Sequence, residues 1–155
     1  MHMQLVSQHD SIGQWIETEL ADVENRFAAE LLSDLPCVNR LVDHIEQYRG
    51  KMLRPRLVLT SALASAPGAN TVNDGHRLLA TVVEMVHMAT LVHDDILDEA
   101  RLRRRGLTVN QLEGNETAVM LGDYLISHAY HLCSSMGRDS ISRAISETTN
   151  TVCEG

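Results

Sequence analysis

The chain has 155 residues, of which 44% are hydrophobic and 22% are charged, enough to bury one core and too few for two ordinary domains. Its formal net charge of -8 argues against a basic protein that coats nucleic-acid phosphates. The three cysteines are widely spaced and form no CxxC pair, so neither a disulfide framework nor a structural zinc site is expected. The sequence contains no secretory leader and no uninterrupted apolar run of membrane-spanning length, which predicts a cytoplasmic protein.

Apolar residues recur at three- to four-residue spacing along nearly the whole chain, which predicts an all-α fold. Pro36 suits the first turn of a helix, and Asn73 or Asp74 can cap another. In chain order, helices are expected over about 6–32, 36–48, 55–64, 73–100 and 114–137, and from 139 onward, with Gly50 ending the second and a loop over 66–70. The fourth helix is the most hydrophobic and is expected to be central. We expect one domain over 1–155, with its last helix still running where the chain stops.

Three carboxylates crowd onto one face near the end of the fourth helix. At about 100° per residue, Asp94 and Asp98 lie roughly 40° apart, and Asp95 is within a further 60°. A solvated acidic patch is the simplest interpretation, but these residues follow directly on the most apolar stretch of the chain. Hard oxygen ligands without a thiolate suit Mg²⁺, which carboxylates commonly share with substrate phosphates. The face therefore predicts a site for a Mg²⁺-bridged diphosphate, and its spacing does not match a calcium-binding EF-hand.

Two basic segments are candidates for binding the anion. The single lysine, Lys51, follows Gly50 and precedes Arg54 where a loop enters a helix, and free backbone N–H groups there also favour an anion. Two surface cations at a turn remain the alternative, because this segment lacks the Walker pattern. The second segment follows the carboxylates and contains Arg101, Arg103, Arg104 and Arg105, whose guanidinium groups suit oxyanions. Without interleaved aromatic residues, this run does not predict nucleic-acid binding.

Histidines precede the carboxylates on the same helix. His87 lies seven residues before Asp94 and therefore on the same side, which allows it either a ligand-binding role or the role of a buried core histidine. His93 points elsewhere and is expected either to pack between helices or to support a residue that contacts the ligand. Glu84 is expected to be structural.

Taken in order, these residues resemble the trans-isoprenyl diphosphate synthases, or polyprenyl synthetases, from Gly50 onward. The segments that carry the resemblance are Gly50-Lys51-x-x-Arg54-Pro55, Glu84-Met85-Val86-His87, Leu91 to Asp98, Arg103-Arg104, Thr108-Val109-Asn110 and Ala118 to Leu125. The resemblance implies an orthogonal helix bundle of the isoprenoid synthase type, of which this chain is expected to be the N-terminal half. A second aspartate-rich motif, which the family has in its C-terminal half, is missing, so we expect a chain truncated at its C-terminal end.

The resemblance also implies the chemistry of the site. Asp94, Asp95 and Asp98 would form the first aspartate-rich motif, binding Mg²⁺ and an allylic diphosphate that Arg103 also contacts. The family ionises the allylic C–O bond, and the double bond of isopentenyl diphosphate then attacks the resulting cation. A proton is lost to complete the step.

The remaining implied roles concern isopentenyl diphosphate and product length. Residues expected to bind isopentenyl diphosphate are Lys51, Arg54, His87 and Arg104, with Lys51 also counted among the catalytic residues. The chain has a third consecutive arginine, Arg105, which leaves the register of the functional pair open by one residue. In the family, bulky side chains at the positions of Ala89 and Thr90 close the hydrocarbon tunnel early. Both residues are small in this chain, so a medium-to-long polyprenyl diphosphate is expected.

Two other functions are considered. A metal-dependent phosphohydrolase of the HD type would use the His93-Asp94 pair, but His87 and His93, six residues apart, cannot face one ion from a straight helix. A non-catalytic subunit would supply a helical surface to a partner, and the missing half favours this function while the intact aspartates oppose it. A homodimer or association with another chain is expected in either case.

Overall fold

The structure, a computed structural model, describes residues 2–65, 72–104 and 106–154, with the side chains of the first helix described from residue 12 onward. Within these ranges the chain forms helices and one short antiparallel hairpin. The elements are α1 (His2–Glu30), α2 (Pro36–Glu46), α3 (Leu53–Ser65), α4 (Asp74–Leu97), β1 (Leu102–Arg103), β2 (Gly106–Leu107), α5 (Val109–Glu113), α6 (Asn115–Ser135) and α7 (Asp139–Glu154). The all-α prediction is confirmed, and the loop expected over 66–70 lies outside the described residues.

Local sequence signals predicted several helix ends correctly. Pro36 occupies the first turn of α2, where its missing N–H costs no hydrogen bond. Asn73 caps α4, because its side chain accepts a hydrogen bond from the His76 N–H at 3.3 Å and His76 Nδ1 accepts one from the Asn73 N–H at 3.2 Å. Gly137, with φ of 62°, follows the end of α6 in the left-handed conformation that glycine favours.

Other predicted boundaries were wrong. α2 ends at Glu46, before Gly50, and the left-handed residue of this turn is Met52 with φ of 48°. α3 begins at Leu53, so Pro55 lies within its first turn, where proline is tolerated. α4 ends at Leu97, because Glu99 has φ of 50° and leaves the helical conformation. Sequence periodicity also missed the hairpin and α5, which are too short to show a period.

The expectation of a central fourth helix is confirmed by its burial. α4 packs against α1, α3 and α6, and Ala80, Val82, Met85, Met88 and Ala89 are all fully buried. Each large side chain among them contributes roughly 1.5–3 kcal/mol by leaving water. Because α4 is enclosed on several sides, its exposed C-terminal end and one partly exposed face are the surfaces available to form a site.

Ion pairs fasten α1 across this core. Arg77 of α4 donates to buried Glu19 through Nε at 2.6 Å, and Arg56 of α3 donates to Glu17 at 2.8 Å. Arg26 pairs with Asp74 at the start of α4. In the part of the chain described, no helix combines the length and apolar character that crossing a membrane requires.

Candidate functional site

The end of α4 places the three predicted carboxylates in different surroundings. Asp94 and Asp98 are exposed, whereas Asp95 is 2% exposed. The Asp98 N–H donates to the Asp94 carbonyl at 2.8 Å, which holds the two exposed residues one turn apart. Two carboxylates thus lie at the negative end of a helix dipole, where a cation is stabilising.

Asp95 points inward and is paired with Arg103 of the hairpin. Arg103 Nε lies 2.9 Å from Asp95 Oδ1 and 3.0 Å from Oδ2, and Arg103 Nη2 lies 2.8 Å from Oδ1. The carboxylate raises the pKa of Arg103 chiefly through this hydrogen bond, so the guanidinium is firmly charged. Two nitrogens of one planar guanidinium give this pair a fixed orientation. The ion pair therefore fixes where Arg103 stands relative to α4.

The turn between α4 and α5 is held by further polar contacts. Thr108 Oγ1 donates to the Ala100 carbonyl at 2.7 Å, and Asn110 Nδ2 donates to the Asp95 carbonyl at 3.2 Å. Buried Tyr48 accepts the Val109 N–H at 3.1 Å through its hydroxyl. Burial and the charge of Asp95 raise the pKa of Tyr48, which keeps the phenol protonated. The segment that follows the hairpin is thus tied to Asp95 of α4 and to Tyr48, which follows α2.

The donor set at the end of α4 fits Mg²⁺. Within the described ranges, no group of three or more His, Cys, Asp or Glu side chains converges as a self-contained metal centre. Asp94 and Asp98 nevertheless offer two hard carboxylates to solvent, and Mg²⁺ is commonly held by one or two carboxylates together with water and substrate phosphates. Arg103 occupies both oxygens of Asp95. A role for all three aspartates at one ion stays a prediction, and the structure brings two of them to solvent.

The two basic segments meet in space. A Cβ built on Gly50 would lie 2.5 Å from Arg104 Nη2, so the Arg104 guanidinium rests directly on the glycine backbone. Arg104 itself lies in the hairpin turn with φ of 52°, in the left-handed conformation. Exposed Lys51 follows Gly50 in the same turn. The predicted phosphate-binding turn and the arginine run therefore form one basic surface, while Arg105 lies outside the described residues.

His87 lies among these arginines. Burial, followed by the charges of Arg54, Arg103 and Arg104 in that order, lowers its pKa to about 4. The imidazole is therefore neutral near pH 7 and can donate one hydrogen bond without adding a charge. Three predicted substrate-binding residues, Arg54, Arg103 and Arg104, thus lie close enough to the fourth, His87, for their charges to affect its pKa. The fifth, Lys51, lies on the neighbouring turn.

An apolar cavity of about 210 Å³ opens beside His87. α4 and α7 form its walls and Arg54 lies at its polar side; the lining residues are Arg54, Val83, Val86, His87, Thr90, Ile145, Thr148, Thr149 and Val152. Thr90, predicted to affect product length, is among them. Ala89 is fully buried within the main hydrophobic cluster instead. Of the two predicted chain-length residues, Thr90 is the one that the structure places at the cavity.

The expectation that His93 packs between helices fits the structure. Its ring lies against Gly122 of α6, in space that a Cβ on Gly122 would fill. His93 Nε2 is 3.3 Å from the Val119 carbonyl and 3.6 Å from Asp123 Oδ1. His93 therefore faces α6 while His87 faces the cavity. The two histidines do not converge on one point, as an HD-type phosphohydrolase would require.

Sequence reasoning missed the residues of the site that come from distant elements. Tyr48 and Asn110 support the turn, and Ile145 and Thr149 of α7 form the far wall of the cavity. The four-residue spacing of Ile141, Ile145 and Thr149 is a signal for a buried stripe on α7. It does not reveal which helix faces that stripe.

The family model for polyprenyl synthetase matches residues 35–155. Octaprenyl diphosphate synthase of Escherichia coli (strain K12) is 31% identical over 146 residues, which cover 94% of this chain and 44% of that protein. All-trans-nonaprenyl-diphosphate synthase (geranyl-diphosphate specific) of Rhodobacter capsulatus is 35% identical over 143 residues, covering 88% of this chain and 43% of that protein. The chain spans less than half the length of these relatives.

Solved structures give the same result for the fold. A decaprenyl diphosphate synthase from Rhodobacter capsulatus superposes with a TM-score of 0.82 at 32% identity, covering 94% of this chain and 44% of that one. A polyprenyl synthase from Caulobacter crescentus CB15, complexed with calcium and isoprenyl diphosphate, superposes with a TM-score of 0.83 at 29% identity, covering 94% and 43%.

Proposed function

The chain belongs to the polyprenyl synthetase family, and on that premise we propose that it carries a Mg²⁺-dependent site for joining isopentenyl diphosphate to an allylic prenyl diphosphate. The observation that carries this proposal is the group of Arg54, Arg103 and Arg104 around a neutral His87. Two members of this group, Arg54 and His87, line an apolar cavity, as a ligand with an anionic head and a hydrocarbon tail requires. The complex of the related Caulobacter protein with calcium and isoprenyl diphosphate supports the same class of ligand.

The proposed division of labour follows the surroundings of each residue. Asp94 and Asp98, the two exposed carboxylates, hold Mg²⁺, which when bound neutralises the leaving diphosphate of the allylic substrate. Asp95 takes Nε and Nη2 of Arg103, so Nη1 is the nitrogen assigned to the allylic diphosphate. Asp95 acts in this proposal by orienting Arg103.

Isopentenyl diphosphate binds the basic surface on the other side of His87. Lys51, Arg54 and Arg104 supply positive charge, and guanidinium groups match the geometry of phosphate oxygens. Neutral His87 donates one hydrogen bond to the diphosphate without adding a positive charge. Two diphosphates therefore flank the end of α4, one on the carboxylates and one on the basic turn.

The reaction proposed at this site breaks the allylic C–O bond, and the diphosphate leaves with the electron pair. The double bond of isopentenyl diphosphate supplies the electrons for the new C–C bond. The released diphosphate then accepts a proton from the resulting cation, which restores a double bond in the product. Val83, Val86 and Ile145 line an apolar wall beside the site. Such a wall keeps water from capturing the allylic cation.

A medium-to-long polyprenyl diphosphate is the proposed product. Thr90 is small and lines the cavity, which leaves room for a growing hydrocarbon chain. The names of the related octaprenyl, nonaprenyl and decaprenyl diphosphate synthases support long products.

We further propose a cytoplasmic protein that associates with a second copy or with another chain. Val119 and Met120 on α6 and Val152 on α7 are large apolar side chains that stay 42%, 68% and 58% exposed. A relative from Bacillus subtilis is named heptaprenyl diphosphate synthase component 2, a name that supports association with another component. Light scattering with and without Mg²⁺ measures the mass in solution, and a monomer under all conditions would contradict this part of the proposal.

The decisive experiment incubates the chain with Mg²⁺, isopentenyl diphosphate and farnesyl diphosphate, and identifies products by mass spectrometry. Elongated prenyl diphosphates, lost in Asp94→Asn and Asp98→Asn, support the full proposal. Mg²⁺-dependent binding of diphosphate without product supports the site and points to a chain that works only in association. A chain that neither binds diphosphate nor forms product overturns the proposal.

A further inference from the structure

Helix α2 carries none of the residues that the proposed reaction uses, yet its last turn contacts the hairpin. His44 lies in that turn, and its Nε2 is 2.8 Å from the carbonyl oxygen of Leu107 in β2. Because a carbonyl oxygen only accepts, Nε2 carries the proton and donates this hydrogen bond. The two residues are 63 positions apart in sequence, so the bond joins separate parts of the fold.

The glycine of β2 lets the end of α2 lie close to the hairpin backbone. A Cβ built on Gly106 would be 3.4 Å from Gln47 Oε1 and 3.8 Å from His44 Cε1. Gly106 is the cross-strand partner of Arg103. A two-stranded hairpin is marginally stable on its own, so contacts from outside determine where it lies. The contact that holds β2 therefore also holds β1, the strand that carries Arg103.

Buried Tyr48 connects His44 to Arg103 by a second route. The His44 ring packs edge-on against the Tyr48 ring, with centroids 5.8 Å apart, an arrangement that aromatic rings favour. On the same Tyr48 ring lies the Arg103 guanidinium, with its Cζ 5.8 Å from the centroid and within reach of a cation–π contact. His44 thus supports both the backbone of β2 and the ring that faces Arg103.

The ion pair with Asp95 fixes only one end of the Arg103 side chain. Asp95 takes Nε and Nη2 of the guanidinium, whereas the backbone of Arg103 follows the hairpin. Nη1 therefore has a defined direction only when both the ion pair and the hairpin are in place.

We infer that His44 is a positioning residue, which holds the hairpin so that Arg103 Nη1 faces the allylic diphosphate. It acts through two contacts, the hydrogen bond to Leu107 and the packing against Tyr48. The inference rests on the proposed function, because that function assigns Nη1 to the diphosphate. His44 itself touches no substrate in this arrangement.

A purely structural role for His44 predicts a different result. If His44 only stabilised the fold, its loss would lower the melting temperature and leave the affinity of the folded chain for diphosphate unchanged. If His44 positions Arg103, affinity falls in chain that is still folded, and the loss disappears once Arg103 no longer contacts the diphosphate. Affinity and melting temperature measured together therefore separate the two roles.

The experiment titrates inorganic diphosphate into the full chain in excess Mg²⁺ and measures the dissociation constant by calorimetry. We expect His44→Leu to weaken binding about fivefold, a coupling of the size found between residues of one network. His44→Gln should stay within about twofold of wild type, because its amide nitrogen can take the place of Nε2 and donate to Leu107.

The matched control is His76→Leu, at the opposite end of α4. It also replaces a partly buried histidine that bonds to the backbone, with Nδ1 3.2 Å from the Asn73 nitrogen. Loss of this cap should lower the melting temperature and leave the dissociation constant for diphosphate unchanged.

A double-mutant cycle with Arg103→Lys completes the test. Lysine keeps a positive charge for Asp95 but lacks a second nitrogen for the diphosphate. In this background we expect His44→Leu to weaken binding by less than about twofold, because both changes disable the same contact.

Three results would overturn the inference and leave the proposed function standing. They are unchanged binding in His44→Leu, a loss in His44→Gln as large as in His44→Leu, and additive losses in the cycle with Arg103→Lys. Wild-type chain that binds no diphosphate would overturn both. Circular dichroism checks folding, and His44→Asn, whose amide is too short to reach the Leu107 carbonyl, replaces His44→Leu if the latter is unfolded.

Discussion

Arg103 and Asp95 form a buried ion pair across the turn that follows α4, with Arg103 Nη2 2.8 Å from Asp95 Oδ1. The side chain of Asp95 is 3% exposed and that of Arg103 is 24% exposed. Asp95 neighbours Asp94 in sequence, but its side chain is buried and paired whereas that of Asp94 is exposed. The pair orients the hairpin, whereas the exposed aspartates remain free for a cation.

Replacing each aspartate by asparagine should therefore give opposite effects on stability. Asp95→Asn leaves Arg103 without its counter-ion and is expected to cost about 2–3 kcal/mol, below the range for a fully buried pair because Arg103 is partly exposed. Asp94→Asn and Asp98→Asn relieve repulsion at the helix C-terminus and are expected to stabilise by about 0.3 kcal/mol each. Urea denaturation followed by circular dichroism measures these changes. Equal destabilisation by all three variants would contradict the distinction between them.

His87 makes the stability of the fold depend on pH. Its pKa is lowered to about 4 in the folded chain, against roughly 6.5 for an unperturbed histidine. Between these values the unfolded chain binds a proton that the folded chain does not, so stability falls as pH falls from 6.5 toward 4. Above about pH 6.5 His87 is neutral in both states, so its protonation no longer lowers the stability of the fold.

His87→Gln isolates this contribution from the other titrating groups. The melting temperatures of wild type and variant are compared between pH 7.5 and 4.5. We expect the wild type to lose more stability than His87→Gln as the pH falls, so that the difference between the two curves changes through this window. Parallel curves would show that His87 titrates normally.

The residue types of the candidate site are visible in the sequence, but their geometry is not. The residue types at Asp94, Asp98, Lys51 and Arg54 are visible as local patterns, and helix signals such as Asn73 act within a few residues. Helical arithmetic, however, places Asp94, Asp98 and Asp95 within one arc of about 100°. It cannot distinguish them, because the difference depends on where the hairpin brings Arg103.

The same limit applies to contacts between distant segments. Gly50 reads as a helix terminator in the sequence, but its function in the fold is to admit the Arg104 guanidinium. That contact depends on the left-handed backbone of Arg104, which no glycine signals. The cavity likewise needs α7 to face α4, and a periodic stripe on α7 does not specify its partner.

Because the His93 ring lies against Gly122, we expect the effect of enlarging residue 122 to depend on the size of residue 93. Gly122→Ala places a methyl group where the His93 ring lies, and overpacking of this kind costs about 1–3 kcal/mol. His93→Ala removes the ring, so the double variant should recover part of the loss. Thermal unfolding of the single and double variants measures this recovery, and strictly additive losses would contradict it.

Gly50 allows a test of the Arg104 position. Gly50→Ala is expected to displace the Arg104 guanidinium, which lies at the end of a flexible side chain, and to weaken diphosphate binding about threefold with little change in stability. Gly13→Ala is the control, because no atom outside its own helix lies near the new methyl group. This control should stabilise the chain by about 0.5–1 kcal/mol and leave binding unchanged. Unaltered binding in Gly50→Ala would separate Arg104 from the anion site.

Thr90 and Ala89 differ in what a bulky replacement should do. Thr90→Phe projects into the cavity of about 210 Å³ and is expected to shorten the product, measured by mass spectrometry after incubation with isopentenyl and farnesyl diphosphates. Ala89 is fully buried in the core, so Ala89→Phe should first cost about 1–3 kcal/mol of stability by overpacking.

The exposed variant Leu32→Phe, in the turn after α1, controls for added bulk and should change neither product length nor stability. The stability measurements apply whether or not the chain turns over on its own. A product distribution unchanged by Thr90→Phe would show that the cavity between α4 and α7 does not hold the growing chain. A Thr90→Phe chain as destabilised as Ala89→Phe would contradict the assignment of Thr90 to open space, because a cavity wall accommodates added volume that a packed core cannot.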